Sequence, residues 1–163
     1  MTTEPGLITA IHTLLSFLAL LSGGVVVAGL LGGSASRTWV RGFWITAVAT
    51  SVTGFFFPFH GVTPAIIVGI IALAILGAVL AAARGAGGTR LGFAVYAAGL
   101  VASEYLLVFV AVAQAFGKIP ALHALAPTQK EPPFAVAQLC VLVLFIVMGV
   151  IATRRTRSAV LAL

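Results

Sequence analysis

Residues 91–117 read LGFAVYAAGLVASEYLLVFVAVAQAFG, and in that stretch Glu104 carries the one formal charge. About 20 mostly apolar residues let a helix cross a hydrocarbon core roughly 30 Å thick, so the segment is read as a membrane-spanning helix with a carboxyl near its middle. Four further apolar runs repeat the pattern at 6–32, 42–59, 62–83 and 134–153. Together they predict an all-α integral membrane protein, a single transmembrane domain over residues 1–163 built as a bundle of five helices.

Composition points the same way. Hydrophobic residues make up 61% of the chain and charged residues 7%, whereas a soluble domain carries roughly 25% charged residues. So little charge cannot cover a water-facing surface. The net charge of +6 would suggest nucleic acid in a soluble protein. Here the basic residues sit at the ends of apolar runs, so the expected partner is the lipid bilayer and not nucleic acid. One cysteine, Cys140, lies inside an apolar run, which leaves no internal disulfide and no CxxC redox or metal motif. Met1 to Gly6 lack the basic stretch of a cleaved secretory signal, so the first run is expected to remain as a helix.

The separators are rich in Gly, Pro and Ser: Gly33 to Arg37 with Arg41, Pro58 to Gly61, Arg84 to Arg90, and Lys118 to Pro133. The narrowest division is that between the second and third runs, from Pro58 to Pro64. A single element there would be far too long, and two antiparallel helices about a tight Pro/Gly turn fit at ~1.5 Å per residue; the alternative of four spans requires one of the two runs to be re-entrant or interfacial, and neither is obviously polar enough. Alternating sides place Arg37, Arg41, Arg84, Arg90, Arg154, Arg155 and Arg157 on one face and Lys118 and Lys130 on the other. That asymmetry predicts an N-terminus outside and a C-terminus in the cytoplasm of a bacterial inner membrane, with the tail from Arg154 at the lipid surface. Small residues recur at Gly24 and Ala28, Gly69 and Gly77, Ala78 and Ala82, Gly92 and Gly99. Such faces let helix backbones approach closely, within one bundle or across a homo-oligomer.

Ionisable groups in lipid are costly and often functional. Glu104 has no Lys or Arg in any apolar core to neutralise it, so a neutral, hydrogen-bonded carboxyl facing the bundle interior is expected. Two readings stay open: a proton relay, cation site or ligand anchor, or an inter-helix hydrogen bond that fixes packing. Thr46, Thr50 and Thr53 share one face of the second helix, and Thr50 is expected at the depth of Glu104. Their hydroxyls can equally bond carbonyls one turn back on their own helix. A second polar set gathers toward the outer end, where His12, Gln114 and Gln138 sit about one or two turns into their runs, with His60 and His123 in the outer connections. These define a candidate ligand site of Glu104, His12, Gln114, Gln138 and Thr50. His12, His60 and His123 form a candidate zinc, copper or haem-iron set, although no HxxxH spacing supports it. Ordinary interfacial hydrogen bonding is the competing reading of the histidines.

The outer segment 118–133 is the most individual in the chain. Between Pro120 and Pro127 it is expected to form a short interfacial helix, a lid over the bundle mouth or a plain connector. Phe55 to Phe59 are read as an interface belt, with Trp39 and Trp44 at the opposite face. No phosphate-cradling loop, GxSxG elbow or HExxH motif is present, so no catalytic residue is assigned.

The segments TSVTGFFFPF at 50–59 and PALHALAPTQKEPPF at 120–134 resemble those of a group of small bacterial polytopic membrane proteins without assigned activity. The similarity extends over most of the chain. It implies a bacterial inner-membrane protein and transfers no functional residue. The translocator family is similar in length and helix count, but its tryptophan-rich pattern is missing and the match is rejected. The leading functional expectation is a protein that binds or conducts a small ligand or ion through an intrabundle polar site open to the periplasm. Its rivals are a haem- or metal-binding redox protein and a structural or assembly subunit.

Overall fold

A computed structural model describes residues 5–57, 63–85 and 89–155. Six helices follow one another: α1 (Pro5–Leu31), α2 (Arg37–Gly54), α3 (Pro64–Gly85), α4 (Arg90–Lys118), α5 (Pro120–Leu125) and α6 (Pro132–Arg155). Among the described residues there are no strands. Helices α1, α3, α4 and α6 are long and apolar enough to cross a membrane. Their bounds agree within two residues with the apolar runs.

The second element differs. The apolar run spans 42–59, yet α2 begins at Arg37 behind the extended backbone of Ser36 (φ −66°, ψ 132°) and ends at Gly54. Polarity marks where lipid contact stops, not where helix stops, and arginine is a good helix former. At the other end Phe55 N–H bonds the Val52 carbonyl at 3.1 Å and Phe56 N–H the Thr53 carbonyl at 3.2 Å. These three-residue steps tighten and close the last turn. The result is an 18-residue helix about 27 Å long that includes two arginines. On length and composition α2 is therefore not among the four clear spans.

Helix α4 is the hub, packing against α1, α3 and α6, while α1 also packs along α2 and α2 against α3. The buried core is drawn mainly from α1 (Val26, Leu30), α2 (Val40, Phe43), α3 (Leu76, Val79) and α4 (Ala97, Leu100). Leu21, Phe17, Ile45, Leu91 and Leu139 are exposed. An outer surface this apolar suits lipid and would associate in water. Close approach is local: a Cβ on Gly99 would collide with Val79 Cγ2, whereas one on Gly24 or Gly77 would meet nothing within 4 Å. The small-residue face of α4 therefore serves the α3–α4 contact, and Gly24 and Gly77 face outward.

Polar side chains also fasten the helices to one another. Trp44 Nε1–H donates to the Leu76 carbonyl at 3.0 Å, so this indole turns into the α2–α3 contact and does not join the interface belt expected for it. Arg155 Nη1–H donates to the Leu31 carbonyl at 2.6 Å, satisfying an orphan acceptor at the end of α1. Gln138 Nε2–H donates to the Phe109 carbonyl at 3.1 Å, joining α6 to α4.

The short α5 forms where the two prolines bracket it, with Pro120 in its first turn. It packs against α4. The segment after it is held by Gln129, which adopts a positive φ of 57° and donates from Nε2 to the Ala113 carbonyl at 2.8 Å. Glu131 completes a cap, accepting from Thr128 Oγ1–H at 2.9 Å and from the Thr128 and Lys130 backbone N–H groups. Desolvation pushes the Glu131 carboxyl up, but together these hydrogen bonds outweigh it and hold the group below its ordinary value.

Candidate functional site

Glu104 stands fourteen residues from each end of α4 and is 4% exposed. It faces the bundle, as the cost of a carboxyl in lipid requires. What receives it is a notch on α1. A Cβ built on Gly23 would overlap Glu104 Oε2, would lie 2.6 Å from its Cδ, and would lie 2.7 Å from Phe43 Cε2 on α2. The carboxyl thus occupies the space that any other residue at 23 would fill, and the fully buried Phe43 ring reaches the same spot. Among the described residues Glu104 Oε2 has no hydrogen-bond partner, and neither have the buried Thr50 Oγ1 and Ser103 Oγ.

This contact also fixes the depth. The α1–α2 pairing sets His12 beside Thr53 and Gly54, and Gly23 beside Phe43, a consistent antiparallel register. Glu104 is therefore level with Phe43. Thr50 lies seven residues further along α2 than Phe43, about 10 Å at 1.5 Å per residue. Thr46 and Thr53 donate to their own-helix carbonyls of Gly42 and Ala49, each at 2.8 Å, as hydroxyls in membrane helices commonly do. Thr46 and Thr53 are thus bonded within α2, Thr53 also meeting His12 of α1, and the residue that makes room for the carboxyl is Gly23, with Phe43 beside it. Sequence reading passed over both, because a glycine and a phenylalanine in an apolar run carry no chemical signal. The available signal was steric, the Gly23-Gly24 pair on the helix that packs against α4.

The remaining site residues are dispersed. His12 is half-buried, with Nδ1 3.0 Å from Thr53 Oγ1, and its ring is edge-on to Phe57 at 5.2 Å. Gln138 is committed to the Phe109 carbonyl through its amide nitrogen, and its buried Oε1 has no partner among the described residues. Gln114 is exposed near the end of α4, and His123 is exposed on α5. His60 lies outside the described residues, as do Pro58 and Phe59 of the aromatic run. Among the described residues no group of three His, Cys, Asp or Glu side chains could hold a metal ion. A shallow groove of about 230 Å³ between α4 and α6, lined by Val101, Ala102, Tyr105, Phe145 and Gly149 among others, is apolar.

No protein-family model, curated protein or solved structure matches this chain. Its reading rests on these residues.

Proposed function

We propose that the chain is a five-span protein of the bacterial cytoplasmic membrane, of the small polytopic kind its sequence resembles, that binds or conducts a small ion at an intrabundle site built on Glu104. Five spans follow if α2, which packs between α1 and α3, crosses with them. The basic residues then lie at the cytoplasmic ends and the Lys118 to Pro133 segment faces the periplasm. The periplasmic half carries His12, Gln114 and Gln138 and is the half through which the site is approached.

The observation that carries the reading is the burial of Glu104 without a cationic or hydrogen-bonding partner for Oε2 among the described residues. A packing role alone favours groups that are fully hydrogen-bonded, since an unpartnered buried polar atom costs about 1–3 kcal/mol. A group whose partner is an exchangeable ion has reason to be left this way. The test is ion binding and pH-driven ion flux of the purified protein in liposomes, comparing wild type with Glu104→Gln. The variant should fold and lose the response. Equal responses from both proteins would leave the assembly-subunit reading in its place.

A further inference from the structure

We infer that the ion held at Glu104 is a proton and not a metal cation, and that Gly23 is the positioning residue that makes room for the protonated carboxyl. This rests on the reading of Glu104 as an ion site and goes on to name the ion and the device that selects it.

Space and available ligands set the choice of ion. Oxygen-bound cations such as calcium take 6–8 oxygens at roughly 2.3–2.6 Å, and magnesium demands six in an octahedron. The Glu104 carboxyl is pressed against the Gly23 backbone, at a spot that the Phe43 ring also reaches. Of the hydroxyls on the adjoining helices, Ser22, Thr46, Ser51 and Thr53 each donate to a carbonyl of their own helix, which leaves Thr50 Oγ1, with Ser103 Oγ on α4, as the buried hydroxyls without a partner among the described residues, too few oxygens for such a shell. A carboxyl pressed into a notch of this kind can take up a proton without displacing anything. It cannot gather a coordination shell without moving α1 away from α4.

No other ionisable group faces the carboxyl from the packed elements among the described residues. On α1 the nearest is His12, eleven residues away and bonded to Thr53. On α2 Arg41 is two residues from Phe43 but exposed, and α3 carries none between Pro64 and Ala83. On α6 Cys140 is exposed, and on α4 Tyr105 contacts the Phe109 and Phe145 rings while Tyr96 lies two turns toward the helix start. Loss of the proton would leave a buried carboxylate pressed against the Gly23 backbone, with no cationic side chain facing it among the described residues. The charged form therefore needs α1 and α4 to part, and the protonated form lets them close: the proton latches the α1–α4 contact through Gly23.

The chain has three acidic side chains, Glu4, Glu104 and Glu131, which makes the carboxyl vibration of Glu104 readable. The test is infrared difference spectroscopy of the full chain in lipid nanodiscs across pH, with and without saturating Na+, K+ or Ca2+. A protonated-carboxyl band is expected in wild type, absent in Glu104→Gln and unaltered by any of the three cations. Gly23→Ala should abolish or shift the band by expelling the carboxyl. Adding Glu104→Asp to that variant, one methylene shorter, should restore it. Loss of the band on adding a cation overturns the proton assignment while leaving an ion site at Glu104. A wild-type spectrum indistinguishable from that of Glu104→Gln overturns both. An unchanged band in Gly23→Ala overturns the role of the notch. Should Gly23→Ala fail to assemble, the double variant and the cation titration of wild type decide.

Discussion

His12 Nδ1 lies 3.0 Å from Thr53 Oγ1 across the α1–α2 contact, and the direction of that bond follows from proton counting. Thr53 has one hydroxyl proton, and its oxygen already lies 2.8 Å from the Ala49 carbonyl and 3.1 Å from that of Thr50. The imidazole is then the donor, protonated on Nδ1, with the Nε2 lone pair left free. Thr53→Val removes the acceptor and keeps the shape. In membrane helices such bonds contribute about 0.6 kcal/mol on average and at most about 1.7, so a loss of roughly that size is expected in reversible unfolding in detergent. Nitrogen chemical shifts of His12 should report the Nδ1–H form in wild type. A neutral Nε2–H tautomer would reverse the assigned direction of the bond.

Replacing Glu104 by leucine separates stability from function. Removing one member of a satisfied pair is destabilising, but removing an unpartnered buried polar group is nearly neutral or stabilising. Glu104→Leu should therefore melt in detergent at or above the wild-type temperature while losing the ion response. A loss above about 2 kcal/mol would mean that the carboxyl makes bonds its packing against Gly23 and Phe43 does not reveal.

The sequence made the long helices legible because α1, α3, α4 and α6 are apolar almost from end to end, and lipid requires that continuity. It was less informative for α2, where Arg37 and Arg41 belong to the helix but not to the apolar run. Glu104 was legible as a buried group from its cost alone. Its surroundings were not, because they depend on register: a one-turn slide of α1 along α4 would set another residue, and not Gly23, against the carboxyl. The bonding of Thr46 and Thr53 within α2 was equally open, since a hydroxyl bonded to its own helix and one bonded across helices look the same in sequence.

The cap at Glu131 predicts a pH dependence confined to the outer segment. Its folded carboxyl is held below the ordinary value by Thr128 and the neighbouring N–H groups. A group lowered in this way contributes above its unfolded value and ceases to contribute as pH falls through its folded one. The protection factors of the Thr128 and Lys130 amides, that is, exchange rates corrected for the intrinsic rate at each pH, should thus be raised at neutral pH and fall as pH drops below the usual glutamate range. Glu131→Gln should exchange faster at neutral pH and show a smaller acid step. An acid step of wild-type size in that variant would assign the effect elsewhere.

Orientation in the membrane is the last expectation. In the antiparallel order of the helices Arg37, Arg41, Arg84, Arg90, Arg154 and Arg155 sit at one end, and Lys118 and Lys130 at the other. The Arg155 bond to the Leu31 carbonyl ties α6 to α1 at that basic end. A membrane potential and an anionic leaflet both favour keeping such a cluster in the cytoplasm, and moving one elementary charge across 100 mV amounts to about 2.3 kcal/mol. Six arginines against two lysines therefore leave little room for a mixed topology. In a background where Cys140 is replaced by serine, a cysteine at Thr128 should react with an impermeant maleimide added outside intact cells. A cysteine at Thr89, beside the first turn of α4, should react only after the cells are opened. The same α2 that escapes the length criterion is tested by this pair: were α2 to lie along the surface, α1 and α3 would be joined without a crossing. Thr128 and Thr89 would remain on opposite sides, since α4 separates them, but a cysteine at Ser34 would then report the side of Thr128 instead of the side of Thr89. Protection of Ser34→Cys from the outside reagent supports five spans, and its labelling would reduce the count to four.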